Sequence, residues 1–210
     1  MTRVSLVTAL ILGLGCTTAM AAESSHAAQG GDAAAGKTKS AVCAACHGAD
    51  GNSTNGEWPK LAGQHASYLE NQLHAYKSGE RKNPIMMGQV MSLSDQDMKD
   101  LAAYFAAQPL KPGVANPDLA KQAEALYRGG RAEAGIPACS ACHGPQGAGN
   151  AAAGYPAIHG QHAQYTAAQL KAYRSGERAG TDMAKMMSQV ATELSDADIE
   201  ALASYLSGLH

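Results

Sequence analysis

The chain has 210 residues, with 16 Lys and Arg against 18 Asp and Glu, a formal net charge of −2, and only 5% aromatic residues. It shows neither a basic tract nor an acidic tail, which argues against nucleic acid as a partner. Five cysteines are present, and their spacing is the most informative feature of the composition.

Met1-Thr2-Arg3 is followed by an apolar run from Val4 to Gly15 and by the small residues Thr17-Thr18-Ala19-Met20-Ala21-Ala22. A charged start, an apolar middle and a small-residue cleavage site make residues 1–22 a secretion signal, with the mature chain beginning near Ala22 or Glu23. The apolar run falls short of the roughly 20 residues that a membrane span needs, and no later segment approaches that length. The mature protein is therefore expected not to span a membrane, which leaves room for peripheral membrane association. Cys16 lies inside the signal. A lipid anchor on Cys16 is the rival reading, but Gly13 stands where lipoprotein signals usually carry leucine. Residues 23–31 are small and polar and read as a flexible leader.

Asp32 is a good N-cap for an alanine-rich helix that runs into Cys43-Ala44-Ala45-Cys46-His47. A second copy, Cys139-Ser140-Ala141-Cys142-His143, follows 96 residues later. C-x-x-C-H is the attachment signature of covalent heme: two thiols form thioethers, and the next histidine ligates the iron from one side. A zinc site would use the same C-x-x-C spacing, but the adjacent histidine is too close in sequence to complete a tetrahedron. A redox dithiol explains neither the histidine nor the duplication. The chain is thus expected to hold two heme c groups, through Cys43 and Cys46 and through Cys139 and Cys142, with His47 and His143 as proximal ligands. Heme attachment together with export points to the periplasm.

Leu69, Leu73 and Tyr76 fall at i, i+4 and i+7 with Gly79 as a stop, which predicts an amphipathic helix. Ser94-Asp95-Gln96-Asp97 resembles a capping box opening a helix with Met98, Leu101 and Phe105 on one face. Residues 108–117 carry three prolines and a glycine without apolar period and read as an extended linker, with the boundary near Gly113. The second half then repeats the first. Gly63-Gln64-His65 returns as Gly160-Gln161-His162, Ser78-Gly79-Glu80-Arg81 as Ser175-Gly176-Glu177-Arg178, and Leu93-Ser94-Asp95 as Leu194-Ser195-Asp196. The second terminal helix carries Ile199, Leu202 and Leu206. The offset grows from 96 to 101 along the chain, so a small insertion lies between Arg178 and Met187. The organisation is a first domain over 32–112, a linker over 113–117 and a second domain over 118–210, all mainly helical. Domains this small, with so few aromatics, bury a thin core unless a prosthetic group fills it, so the heme-free chain is expected to fold poorly.

The sixth iron ligand decides between electron transfer and small-molecule chemistry. Met86, Met87 and Met91, and in the second half Met183, Met186 and Met187, lie in Gly-, Pro- or charge-containing stretches that read as loops. Counting back from Leu93 and Leu194 places Met86 and Met187 at equal distance, and they are assigned as distal ligands. Met87 and Met186 remain the neighbouring alternatives, while Met91 and Met183 are expected to pack. His65, His74, His159 and His162, with His26 and His210, are read as surface or hydrogen-bonding groups rather than iron ligands.

The duplicated C-x-x-C-H, the segments Trp58-Pro59-Lys60-Leu61-Ala62-Gly63-Gln64 and Tyr155-Pro156-Ala157-Ile158-His159-Gly160-Gln161, and the methionine stretch followed by Leu-Ser-Asp resemble the diheme cytochrome c4 family over the mature length. The resemblance implies an all-α protein of two tandem class I cytochrome c domains, each wrapped around one covalent heme and related by a pseudo-two-fold axis. It implies His47 with Met86 on one iron and His143 with Met187 on the other. It further implies that the carbonyls of Pro59 and Pro156 accept hydrogen bonds from the proximal imidazoles.

The function expected from this is a periplasmic carrier, not an enzyme, shuttling single electrons from a donor such as a cytochrome bc complex to a terminal heme-copper oxidase. The alternative is the diheme cytochrome subunit of a redox enzyme such as a sulfide-oxidising flavocytochrome. A diheme peroxidase would need an open iron, and methionine candidates in both halves argue against it.

Overall fold

In the computed structural model, which describes residues 30–210, ten α-helices are joined by glycine-rich turns. Among the described residues there is no β-strand, only two isolated bridges, Arg131–Ile136 and Asn150–Tyr155. The expected signal, with Cys16, and most of the expected leader, with His26, lie outside the described residues.

Asp32 caps α1 (Ala33–Lys39), its carboxylate accepting from the backbone N–H groups of Ala34 and Ala35. The helix expected to run into Cys43 is broken at Ser40, and α2 (Ala41–His47) carries the first heme motif separately. Gly30 and Gly31, assigned to the leader, are docked: the Gly30 carbonyl accepts from Gln96 Nε2, and an added Cβ at Gly31 would overlap the Lys99 backbone. The next helix, α3 (Ala66–Ser78), buries Leu69 and Tyr76 and stops where Gly79 turns left-handed at φ 81°. Helix α5 (Asp95–Ala106) opens on the expected capping box of Ser94 and Asp97 and buries Met98, Leu101 and Phe105. The second half repeats this plan with α6 (Pro117–Gly129), α7 (Ser140–His143), α8 (Ala163–Arg174) and α10 (Asp196–Gly208). The last of these has its own capping box, Ser195 with Asp198, and buries Ile199, Leu202 and Leu206.

The methionine stretches, expected as loops, are helical: α4 (Pro84–Val90) and α9 (Asp182–Ala191). Asn83 and Thr181 cap them through their side chains, and Pro84 at the first position has no N–H to lose. The inserted residues of the second half mostly lengthen α9, which has 10 residues against 7 in α4. Met91 and Met183, expected to pack, stand in solvent at 62% and 39% exposure, because Met91 lies just past the end of α4 and α9 turns its first apolar position outward.

The linker is strapped down. Asn52 Nδ2 donates to the Pro109 carbonyl and its Oδ1 accepts from the Lys111 N–H, while the Gly113 N–H donates to the Ser207 carbonyl and the Asn116 N–H to Ser204 Oγ. Pro117, read as the last linker residue, is the first residue of α6.

Candidate heme sites

Each heme motif ends a short helix whose last residue is the histidine. Gly48 and Gly144 follow at φ 80° and 76°, a conformation that turns the chain away and leaves the imidazole buried. His47 Nδ1 lies 2.9 Å from the Pro59 carbonyl, and His143 Nδ1 lies 2.9 Å from that of Pro156. A carbonyl can only accept, so each Nδ1 carries its proton and each Nε2 is a free lone-pair donor, the tautomer an iron ligand needs. Burial holds both imidazoles below the ordinary histidine range, against the opposing pull of the proline carbonyls, so each ring is neutral at pH 7. Burial also raises the thiols of Cys43 and Cys139, the latter to about 11. A zinc site needs thiolates, and among the described residues no three His, Cys, Asp or Glu side chains converge on one point.

A cavity of about 860 Å³ runs between the halves. Both histidines line it, with Cys43, Cys46 and Cys139 from the attachment motifs. Met86 and Met187 line it too, whereas Met87, Met186, Met91 and Met183 do not. The structure therefore brings together one histidine and one methionine per half around a mostly apolar cavity. It leaves the other histidines elsewhere: His74 lies beside Glu70 at 3.9 Å, and His65 and His162 stand at the starts of α3 and α8.

The seam between the halves is not legible in the sequence. Gln64 Nε2 donates to the Ala157 carbonyl while Gln64 Oε1 accepts from the Ala157 N–H, and Gln161 makes the same pair of bonds with Lys60, at 2.7 to 3.0 Å. This is an isologous contact, each half offering the other the same groups about a pseudo-two-fold axis. His162 Nε2 adds a bond to the Ser53 carbonyl at 2.8 Å, and the Lys60 ammonium donates to the carbonyls of Lys111 and Gly160.

On the axis stand Arg81 and Arg178, 9% and 8% exposed. Arg81 donates to Gln72 Oε1 (2.7 Å), Gln169 Oε1 (2.9 Å) and the Tyr165 hydroxyl (2.8 Å). Arg178 donates to Gln169 Oε1 (2.7 Å), Gln72 Oε1 (3.0 Å) and the Tyr68 hydroxyl (2.9 Å). Each guanidinium also lies over a tyrosine ring, Tyr76 at 4.7 Å and Tyr173 at 4.6 Å. None of these partners is a carboxylate. Two buried cations on the wall of an apolar cavity fit a group that is flat, apolar and edged with carboxylates, and heme has that shape and charge. The repeat of Gln72 with Arg81 and Gln169 with Arg178 is visible in the sequence, but nothing local says that they meet.

Residues 33–108 and 120–210 each match the cytochrome c family. The chain is 50% identical over 205 residues to cytochrome c4 of Pseudomonas aeruginosa, an alignment covering 98% of each protein. Its fold superposes on the crystal structure of reduced recombinant cytochrome c4 from Pseudomonas stutzeri with a TM-score of 0.82 and 51% identity, over 86% of this chain and 100% of that one. A thiosulfate dehydrogenase electron acceptor from Stutzerimonas stutzeri is 41% identical over 174 residues, 80% of this chain and 79% of that protein.

Proposed function

Because this chain belongs to the cytochrome c family, and within it to the diheme cytochrome c4 electron carriers, we propose that it carries single electrons in the periplasm from a cytochrome bc complex to a terminal heme-copper oxidase. Each heme c, when bound, supplies a one-electron couple, and the protein tunes and positions it. His47 and Met86 are proposed as ligands in the first half, and His143 and Met187 in the second. The observation that carries this reading is that each half offers one neutral, Nδ1-anchored imidazole and one methionine to the same mostly apolar cavity. Two protein ligands for each iron would leave it no position for substrate, which suits electron transfer. In this reading residues 32–112 and 118–210 form the two units, and the carbonyls of Pro59 and Pro156 orient the imidazoles and increase their basicity. No described helix is long and apolar enough to cross a membrane.

The likeness to a thiosulfate dehydrogenase electron acceptor favours one second reading, in which the electrons come from a substrate-oxidising enzyme rather than a bc complex. It is a form of the redox-enzyme alternative, with thiosulfate in place of sulfide as the source of electrons. Stopped-flow mixing separates the two. Under the first reading, purified bc complex reduces the oxidised protein and oxidase-containing membranes reoxidise it, both at rates of respiratory turnover. Reduction by thiosulfate with its dehydrogenase, without reduction by the bc complex, would establish the second.

A further inference from the structure

We propose that Arg81 and Arg178 form one shared anion seat that holds heme carboxylates from both halves and couples the two hemes electrostatically; this rests on the diheme reading above. Among the described residues, neither guanidinium has a carboxylate within ion-pair distance, although eight other contacts of that kind join a Lys or Arg to an Asp or Glu. A buried cation without a counter-ion is strongly unfavourable, and two side by side add mutual repulsion. Three of the five N–H groups of each arginine are taken by glutamine and tyrosine oxygens, which leaves two on each for an anion. The cavity they line also holds both attachment motifs, so the anions that belong there are the carboxylates the cofactors bring.

The bonding pattern makes the seat shared rather than double. Gln72 Oε1 accepts from both arginines, and so does Gln169 Oε1, closing a ring in which each guanidinium is tied to its own half and to the other. Each positive charge therefore acts on both hemes. A nearby cation favours the ferrous state, which carries one positive charge fewer than the ferric state. Arg81 and Arg178 are positioning and tuning residues, not ligands.

The test is Arg81→Gln and, separately, Arg178→Gln in the heme-loaded protein. The two hemes are followed individually by NMR of their methyl resonances during a redox titration. The expected result is that either single substitution moves both hemes toward the oxidised form by comparable amounts, on the order of tenfold in the one-electron equilibrium, about 59 mV. Arg178→Lys, which keeps the charge, should recover most of the shift. A shift confined to the heme of the substituted half would overturn sharing, and unchanged potentials would overturn the seat. Potentials of the parent protein that respond to added phosphate at constant ionic strength would show a free anion in the seat and also overturn the proposal. The thioether charge-transfer band, recorded in every variant, reports the methionine ligands independently, so failure of the diheme reading would be seen separately.

Discussion

In the first half, α1 and the turn before it lie against α5 through Gly36 and Gly31, where an added Cβ would overlap the backbone oxygens of Asp100 and Lys99; in the second, α6 meets α10 through the large side chains of Leu126 and Tyr127, 4% and 0% exposed. The apolar clusters differ accordingly. Leu69, Leu101, Ala102 and Phe105 form the buried cluster of the first half, whereas the second gathers ten buried residues, from Leu126 and Tyr127 to Leu202 and Leu206. The first half buries ten apolar residues in all and the second twelve, but the second joins most of its own into one cluster, and burial of apolar area is the main favourable contribution to folding, so the second half brings somewhat more of its own stability. The first depends more on backbone proximity and on the group that fills its cavity. Two copies of one fold thus reach the same arrangement by different means.

The largest effect that could break this comparison is removal of the hemes. The heme-free chain should lose most of its helical circular dichroism, and by hydrogen exchange any residual protection should sit in 117–129 and 196–208 rather than in 33–47 and 95–106. Equal protection in both regions would remove the asymmetry. Replacing Met86 or Met187 by alanine comes next: each should abolish the charge-transfer band of one heme, halving its intensity, and open that iron to carbon monoxide. A full band in Met86→Ala would move the ligand to Met87.

Opposite kinds of substitution sharpen the contrast at smaller scale. Leu202→Ala should cost about 2–5 kcal/mol by leaving a cavity in the larger core, whereas Gly36→Ala should cost about 1–3 kcal/mol by forcing α1 off α5, both read from denaturant midpoints of the holoprotein. Asp198 gives a weaker, pH-dependent case. Arg131, bonding it at 2.6 and 3.1 Å, is the main cause of its pKa falling to about 2; burial opposes this and Ser195 adds to it. Its folded pKa lies below the ordinary 3.8, so its stabilisation is complete above about pH 5 and is lost as pH falls through 4 toward 2. Asp198→Asn should cost about 2 kcal/mol at pH 7 and almost nothing near pH 2. Asp97, its counterpart, is drawn down chiefly by Lys39 in a more exposed pair and should lose less. Smallest of all, Tyr127→Phe removes a 2.6 Å bond to the Gly144 carbonyl beside His143 and should cost about 1 kcal/mol.

What the sequence made legible was local. Asp32, Gly79 and the two Ser-x-x-Asp boxes act within four residues of themselves, and the structure uses each as expected. The choice of Met86 and Met187 rested on a duplication that supplies its own alignment, and both line the cavity with His47 and His143. The break at Ser40 and the helical state of 84–90 and 182–191 were not legible: seven to ten residues give little period, and proline and glycine in the first stretch and charge in the second resemble loop composition. The axis cluster was hidden for a different reason. Arg81 with Tyr165 and Arg178 with Tyr68 are pairs 84 and 110 residues apart, and only the docking of two folded halves brings them together.

The most direct test of the central claim, two histidine- and methionine-ligated hemes in one electron carrier, is a spectroelectrochemical titration of the holoprotein with carbon monoxide offered to the reduced form. Both hemes should show the thioether charge-transfer band when oxidised, titrate at positive potentials and leave carbon monoxide unbound. One heme that lacks the band, titrates far lower or binds carbon monoxide would contradict the claim and turn that iron into a reactive site.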